Sequence, residues 1–290
     1  MRPSLFFLLL SGMLGAQQLP LEPHHDAGTS ITGVFEGWFP NPDGTFSLLF
    51  GYYNRNLKEA LDIPVGSNNR IEPGGPDRGQ PTHFLPGRMW GNFTVTVPKD
   101  FGESQLTWTI VANGKPTVIP GNLKTDWQIS PFIDATHNTP PVISFQSFDE
   151  GGPSVQGPRT LLASEQATVG SPLSLTVWAA DDNVVSPGTR APKVPVSITW
   201  SMFRGPGTAT FSPNRPTVEK VEGQKLEGKM PSNTTFAGKA VTTVTFSEPG
   251  EYVLQVTAND ASGDGGGGFQ CCWTVAKMKV SVKPEPTGGR

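Results

Sequence analysis

The stretch that decides the fold spans residues 247–265 and reads SEPGEYVLQVTANDASGDG. A Pro-Gly pair opens it, and apolar residues then alternate with polar ones from Glu251 to Ala258. Such alternation is typical of a strand with one face in a core and the other in water. A loop rich in Asn, Asp and Gly follows. The stretch therefore predicts a late strand of a β-sandwich, and its acidic loop is the best candidate site in the chain.

Short strand patterns separated by turn residues recur along the rest of the 290-residue chain, which contains 34 Gly and 29 Pro. The first half has two hairpin signals, a turn at 41–44 and the pair Asn113-Gly114, whose residues both tolerate the positive φ of a type I′ turn. Only residues 56–62 have a helical pattern, with Asn56 as the cap. We therefore predict an all-β protein made of two β-sandwich domains.

Changes in composition suggest the domain boundaries. We expect the first sandwich at residues 29–137, with a long Gly-, Pro- and Asn-rich loop at 64–88. A Pro-rich linker at 138–159 follows, although 149–159 could instead provide the first edge strand. The second sandwich spans 160–283, and residues 284–290 form a flexible tail.

The N-terminus has the pattern of a secretory signal peptide at residues 1–16. Arg2 is a short basic region, residues 5–10 are apolar, and Gly15-Ala16 is a small-residue cleavage site. The apolar run is shorter than the ~20 residues that span a bilayer. We therefore expect a soluble secreted or periplasmic protein, cleaved near Ala16, with a disordered leader at 17–28 and no membrane span.

Charge limits the classes of partner. Only 16% of the residues are charged, and the formal net charge is -3. Nucleic-acid binding requires clustered Lys and Arg, so we expect no nucleic-acid partner. An extracellular protein or a glycan fits better, and the oligomeric state stays open.

Three motifs in the second half carry a family resemblance. They are Gly170 with Leu173-Ser174-Leu175, then Ile198-Thr199-Trp200, and finally Pro249-Gly250-Glu251-Tyr252 with Val256-Thr257-Ala258-Asn259-Asp260. With these motifs, residues 140–283 resemble the PKD, cadherin-like and immunoglobulin-like modules of secreted bacterial proteins, although Ser201–Gly205 departs from the PKD turn pattern. The resemblance implies an immunoglobulin-like sandwich, with Trp200 in the core and Tyr252 in a tyrosine corner. The first half resembles no family with an activity.

Two acidic clusters are candidate metal ligands. The residues are Asp181, Asp182 and Asn183 after one predicted strand, and Asn259, Asp260, Ser262 and Asp264 after another. Residues 260–265 match the first half of a calcium loop, with oxygen ligands at alternate positions followed by Gly. In an immunoglobulin-like topology the two loops lie at the same end. We predict a calcium site there; the alternative is that Asp, Asn and Gly simply form turns.

Two further groups are candidate ligand-binding residues. Trp38 and Trp90 border loops and could stack on sugar rings, although aromatic residues are more often buried. Four polar residues in the 64–88 loop could form a pocket, or could simply be solvated. They are Asp77, Arg78, His83 and Arg88.

The chain has two cysteines, and they are adjacent, at Cys271 and Cys272. They cannot connect distant segments of the chain. They could be two small apolar residues, a redox-active vicinal disulfide, or a link to a partner chain.

We therefore predict a secreted, non-catalytic binding, structural or adhesion protein whose second domain is rigidified by calcium. The alternative is a carbohydrate-binding accessory protein that uses Trp38, Trp90 and the 64–88 loop. A third hypothesis is an enzyme built around His83, Asp77 and Arg88. The chain contains neither a G-x-S-x-G motif nor an H-E-x-x-H motif, so we do not expect an enzyme.

Overall fold

The computed structural model describes residues 25–160, 162–185, 187–224, 234–263 and 271–285. The fold is all-β, as predicted, and its sheets are mainly antiparallel. Two single-turn 3-10 helices lie at Thr125–Trp127 and Phe148–Glu150. No helix in this described part is long and apolar enough to cross a bilayer. The signal-peptide residues 1–16 lie outside it, and so do residues 17–24 of the leader.

Eight strands form the first half. They are β1 (Ile31–Pro40), β2 (Phe46–Asn54), β3 (Leu61–Asp62), β4 (Asn69–Glu72), β5 (His83–Phe84), β6 (Gly87–Val97), β7 (Leu106–Ala112) and β8 (Lys115–Gly121). They pair as β1-β2-β6, β4-β7-β8 and β3-β5. Asn113 and Gly114 both have positive φ between β7 and β8, which confirms the predicted hairpin turn. Phe50, Phe93 and Trp108 pack at the centre of the shared core.

Ten strands form the second half. They are β9 (Val142–Ser144), β10 (Ser154–Gln156), β11 (Leu162–Thr168), β12 (Leu173–Asp181), β13 (Ser197–Arg204), β14 (Ala209–Ser212), β15 (Glu219–Lys220), β16 (Phe236–Phe246), β17 (Gly250–Asn259) and β18 (Trp273–Lys283). One sheet has the order β10-β9-β12-β16-β14, with β15 paired to β16, and the other has the order β11-β18-β17-β13. Inward residues of both sheets form one core, which is the arrangement of a β-sandwich.

The core-facing side of the strand that decided the fold behaves as its alternation predicts, whereas the opposite side meets the first half of the chain instead of water, since Gln255 is buried and Val253 packs against the core of the first half. Leu254, Val256 and Ala258 of β17 are fully buried in the core. The hydroxyl of Tyr252 donates a hydrogen bond to the carbonyl of Glu248 at 3.0 Å, which is the geometry of a tyrosine corner. Trp200 is buried in the same core. The features that the resemblance implied for the second half are therefore present.

Two stretches predicted to be irregular contain strands. Residues 64–88, predicted to be a long loop, contain β4 and β5, and Asn69 and Gln80 within them are fully buried. Residues 138–159, predicted to be a linker, contain β9, and the alternative of an edge strand within 149–159 is confirmed by β10. The pattern at 56–62 does not form a helix, because Asn56 is buried and bonded to the backbone of Thr29.

The two halves pack against each other through one face of the four-stranded sheet. Phe203 of β13 joins the core of the first half, and Trp273 of β18 packs with Phe39 and Leu49. The guanidinium of Arg204 also donates hydrogen bonds to the carbonyl of Gln80. This contact positions β6 over the sheet, although the division of the chain at residues 138–159 stays a prediction.

Candidate functional site

Three buried carboxylates meet at one end of the second sandwich. Asp181 is the last residue of β12, Asp182 comes directly after it, and Asp260 follows β17; their exposed fractions are only 3%, 5% and 5%. Two adjacent residues, Asn138 and Thr139, connect two of these carboxylates. Asn138 Nδ2 donates to Asp260, and the Thr139 hydroxyl donates to Asp182 at 2.8 Å. We call Asp181, Asp182 and Asp260 the acidic cluster. The two loops therefore lie at the same end of the sandwich, as the topology argument predicted.

Turn formation accounts for part of this arrangement. Asp181 Oδ1 accepts a hydrogen bond from the amide of Asn183 at 2.7 Å, and Asp260 Oδ1 accepts one from the amide of Ser262 at 2.8 Å. The Ser262 hydroxyl also donates to Asp260, and Asn183 has a φ of 57°, in the left-handed region that Asn tolerates. One oxygen of each of these carboxylates therefore has an ordinary structural role.

Three other oxygens at this end are buried and accept no hydrogen bond from the described residues. They are Oδ2 of Asp181, Oδ1 of Asn138 and Oδ1 of Asn183. A buried acceptor without a donor costs about 1–3 kcal/mol. Turn formation does not explain these atoms, so they indicate that a group is needed to satisfy them.

The electrostatics of the cluster also indicate that a further group is needed at this site. Burial raises the pKa of Asp181 to about 8, and the negative charges of Asp182 and Asp260 add to this rise. Burial also raises the pKa of Asp260, against the hydrogen bonds from Ser262 and Asn138. The folded chain therefore disfavours full ionisation of the cluster, and either a proton or a cation would relieve the repulsion.

The acidic side chains alone do not form a complete ligand shell. Within the described ranges, no three Asp, Glu, His or Cys side chains stand in an arrangement that could hold a metal ion. Asp264, a predicted ligand, lies outside the described residues. Asn259 is buried at the end of β17. Any bound cation would therefore also use amide, hydroxyl or main-chain oxygens.

The two cysteines form a vicinal disulfide beside the acidic cluster. Both are buried, and the sulfur of Cys272 lies 3.4 Å from the carbonyl oxygen of Asn138. The amide of Asp260 also donates to the carbonyl of Cys272 at 3.4 Å. Of the three alternatives left open by the sequence, the structure has the vicinal disulfide.

Asn138 and Thr139, which connect the loops of the cluster, were not predicted to be site residues. Both were assigned to the linker because Pro140 and Pro141 follow them. The polar Asn-Thr pair before two prolines was the only available signal, and it does not reveal partners at Asp260 and Asp182, which are 122 and 43 residues away.

Of the two tryptophans predicted to stack on sugar rings, Trp38 is buried and Trp90 is exposed. Trp38 is only 8% exposed, and its Nε1 donates to the carbonyl of Lys124 at 2.8 Å, so its ring belongs to the core. Trp90 is 42% exposed, and the guanidinium of Arg88 lies 4.0 Å from its ring centre. Only Trp90 of this pair is placed to touch a ligand.

The predicted polar pocket in residues 64–88 does not form. His83 Nδ1 lies 2.7 Å from a carboxylate oxygen of Asp62, and Asp77 pairs with Arg204 at 2.8 Å. That ion pair lowers the pKa of Asp77. The four predicted residues therefore have separate partners and do not converge.

The two remaining residues of that group are arginines. Arg78 donates to the carbonyls of Pro73 and Thr96, both at 2.9 Å. Arg88 forms an ion pair with the buried Glu36 at 2.9 Å. Arg78 therefore has a structural role, whereas Arg88 also lies beside Trp90.

No protein-family model matches the chain, and no curated protein matches it significantly. One similar solved structure is a family 123 glycoside hydrolase from Clostridium perfringens, with 11% identity and a TM-score of 0.27, covering 51% of this chain. The chain spans only 28% of the hydrolase. Domains 4 and 5 of the S-layer protein SbsC have 12% identity, a TM-score of 0.25, and coverage of 88% of this chain and 98% of theirs.

The D00-D0 domain of intimin has 14% identity and a TM-score of 0.23, with 87% of this chain and 99% of that one covered. Similarities at these TM-scores assign neither a family nor a function.

Proposed function

We propose that this chain is a non-catalytic extracellular binding or structural protein of the adhesion type, whose second sandwich is stabilised by a calcium ion. The carrying observation is the set of three buried oxygens in or beside the acidic cluster, on Asn138, Asp181 and Asn183, that have no donor in the described part of the chain. Calcium takes roughly six to eight carboxylate, amide and carbonyl oxygens and tolerates irregular geometry. A calcium ion therefore fits the chemistry of these atoms.

A cation at the acidic cluster would connect three segments that are distant in the sequence. These are the loop after β12, the loop after β17, and residues 138–139. An ion that binds only the folded state raises stability by mass action, by about 2.7 kcal/mol at a hundredfold excess over Kd. The end of the sandwich would become rigid, as suits a module that carries load or presents a binding surface outside the cell.

The extracellular and non-catalytic parts of the proposal have separate support. The first rests on the signal-peptide pattern of residues 1–16. The second rests on His83, Asp77 and Arg88, the residues of the enzyme hypothesis, each of which has a different ionic partner. An enzyme would need such groups to converge on one reacting atom.

A protonated Asp181 is the competing explanation for the cluster. A neutral carboxyl could donate one hydrogen bond to a neighbouring acceptor, such as an amide oxygen of Asn138 or Asn183. This arrangement needs no metal. The two explanations differ in what calcium does, because a metal-free cluster with a structural proton has no affinity for the ion.

The test is calorimetric titration of the mature protein with calcium, repeated with magnesium. We expect one calcium ion per chain and weaker magnesium binding, because magnesium demands a regular octahedral shell. Asp181→Asn should lower calcium affinity at least tenfold, about 1.4 kcal/mol.

The matched control is Asp43→Asn, because Asp43 accepts from the amide of Thr45 in an exposed turn of the same type. It should bind calcium like the wild type. Wild-type protein that takes up no calcium, or an Asp181→Asn variant with unchanged affinity, would refute the calcium site.

A further inference from the structure

A cleft of about 150 Å³ lies between the two halves of the chain. On one side, β6 provides Arg88, Trp90 and Asn92. On the other side, β17 provides Gln255 and Thr257, which alternate with core residues and therefore lie on the sheet face that meets the first half. We call this space the interface cleft. It adjoins the acidic cluster, because its lining includes Asn259, the residue before Asp260.

The wall of the interface cleft is rich in uncharged hydrogen-bonding side chains. They are Asn92, Thr199, Ser201, Asn214, Gln255, Thr257 and Asn259, and Arg215 also lines the cleft. The described residues that line it include no carboxylate. Amides and hydroxyls both donate and accept, so the wall suits a ligand that also does both.

Three polar atoms of wall residues on the side of the sheet that meets the first half are buried and have no hydrogen-bond partner among the described residues. One is a donor, Nε1 of Trp273, and two are acceptors, Oδ1 of Asn92 and Oε1 of Gln255. Each such atom costs about 1–3 kcal/mol. Buried polar atoms without partners are rare in well-packed contacts. Several of them around one cleft therefore indicate that the cleft binds polar groups.

The rim of the cleft adds an aromatic surface and a neutralised charge. Trp90 is partly exposed, with Arg88 stacked 4.0 Å from its ring centre. Arg88 is already paired with Glu36 at 2.9 Å, so its charge is compensated within the protein. An indole ring with a free edge or face offers apolar contact, while the wall offers hydrogen bonds.

We propose that the interface cleft binds one neutral sugar ring, as a free monosaccharide or as a terminal unit of a glycan. The volume corresponds to about five water molecules at ~30 Å³ each, which suits a small polar ring. It is about half the lower limit of ~300 Å³ for drug-sized ligands. Ring hydroxyls both donate and accept, which matches the amide and hydroxyl groups of the wall residues.

Saturation-transfer NMR tests the proposal, with glucose, galactose, mannose and N-acetylglucosamine as neutral probes and glucuronate as the charged one. At least one neutral sugar should receive saturation from the protein. Its signal should reach a plateau as the sugar concentration rises, as expected for a single binding site. Trp90→Ala should weaken its binding at least tenfold. Thr257→Val, which removes one wall hydroxyl without changing the side-chain shape, should weaken it at least threefold.

The matched control is Trp127→Ala, because Trp127 is 46% exposed but contacts Phe35 and not the cleft. It should bind the sugar like the wild type, and the circular dichroism of all three variants should match that of the wild type. The proposal is overturned if no neutral sugar binds saturably, if glucuronate alone binds, or if Trp90→Ala and Trp127→Ala lose affinity equally. The first of these outcomes would mean that the cleft holds only water.

Discussion

The carboxyl group of Asp181 has two possible partners, a proton and a cation. The proton stabilises the folded state at low pH, whereas a cation binds more tightly as the pH rises and the carboxyl group ionises. Its pKa is raised to about 8 by burial and by the charges of Asp182 and Asp260. In the unfolded chain an Asp has a pKa of about 3.9. Between these two values the folded state holds more protons than the unfolded state, which makes metal-free stability depend on pH.

In chelator, the free energy of unfolding should therefore fall as pH rises from about 4 to about 8. The full contribution of the protonated group is present at the acidic end and is lost as the group ionises. Asp181→Asn cannot ionise, so its slope over this range should be shallower. Urea denaturation in chelator at several pH values checks this. Equal slopes for the two proteins would show that Asp181 is not the group that titrates.

The strands and turns whose conformation depends on residues close in the sequence could be predicted. The alternation of β17, the turn at Asn113-Gly114 and the corner at Tyr252 depend on near neighbours, and the structure has all three. The loops of the acidic cluster were predictable because strand order brings them to one end of a sandwich. The contact of Asn138 with Asp260 was not, since it joins residues 122 positions apart.

The stretch 64–88 failed as a predicted loop for a related reason. Polar residues are normally exposed to solvent, but the side chains of Asn69 and Gln80 are fully buried. The Asn69 amide donates to the carbonyls of Ile63 and Pro81, and its oxygen accepts from Trp108 Nε1 at 3.0 Å. These bonds satisfy the backbone of an irregular segment inside the first half, and composition alone does not reveal them.

Asn69→Ala should therefore destabilise the first half by roughly 2–4 kcal/mol, because it leaves buried carbonyls and an indole donor without partners. The control is Asn122→Ala, whose side-chain oxygen accepts one exposed bond from the amide of Lys124. It should cost less than about 1 kcal/mol. Chemical denaturation followed by tryptophan fluorescence measures both. A cost for Asn69→Ala as small as that of the control would contradict the buried network.

At the scale of the whole molecule, the acidic cluster and the interface cleft are neighbours on the second sandwich, because Asn259 lines the cleft and Asp260 belongs to the cluster. The cluster is at the end where β12 and β17 finish, whereas the cleft is on the face that Phe203 and Trp273 pack against the first half. One site would stiffen the sandwich, and the other would use the junction of the halves to hold a ligand. We expect Trp90→Ala to leave calcium affinity unchanged and Asp181→Asn to leave sugar affinity unchanged, and titrating each variant with both ligands measures this.

The most direct test of the account is differential scanning calorimetry of the mature chain, in excess calcium and in chelator. The account predicts that calcium raises the Tm of the second sandwich by several degrees, since an ion that binds only the folded state stabilises it. The rise should be lost in Asp181→Asn and Asp260→Asn and kept in Asp43→Asn. Coincident wild-type curves would contradict the account and would leave the acidic cluster as a set of turns held by a structural proton.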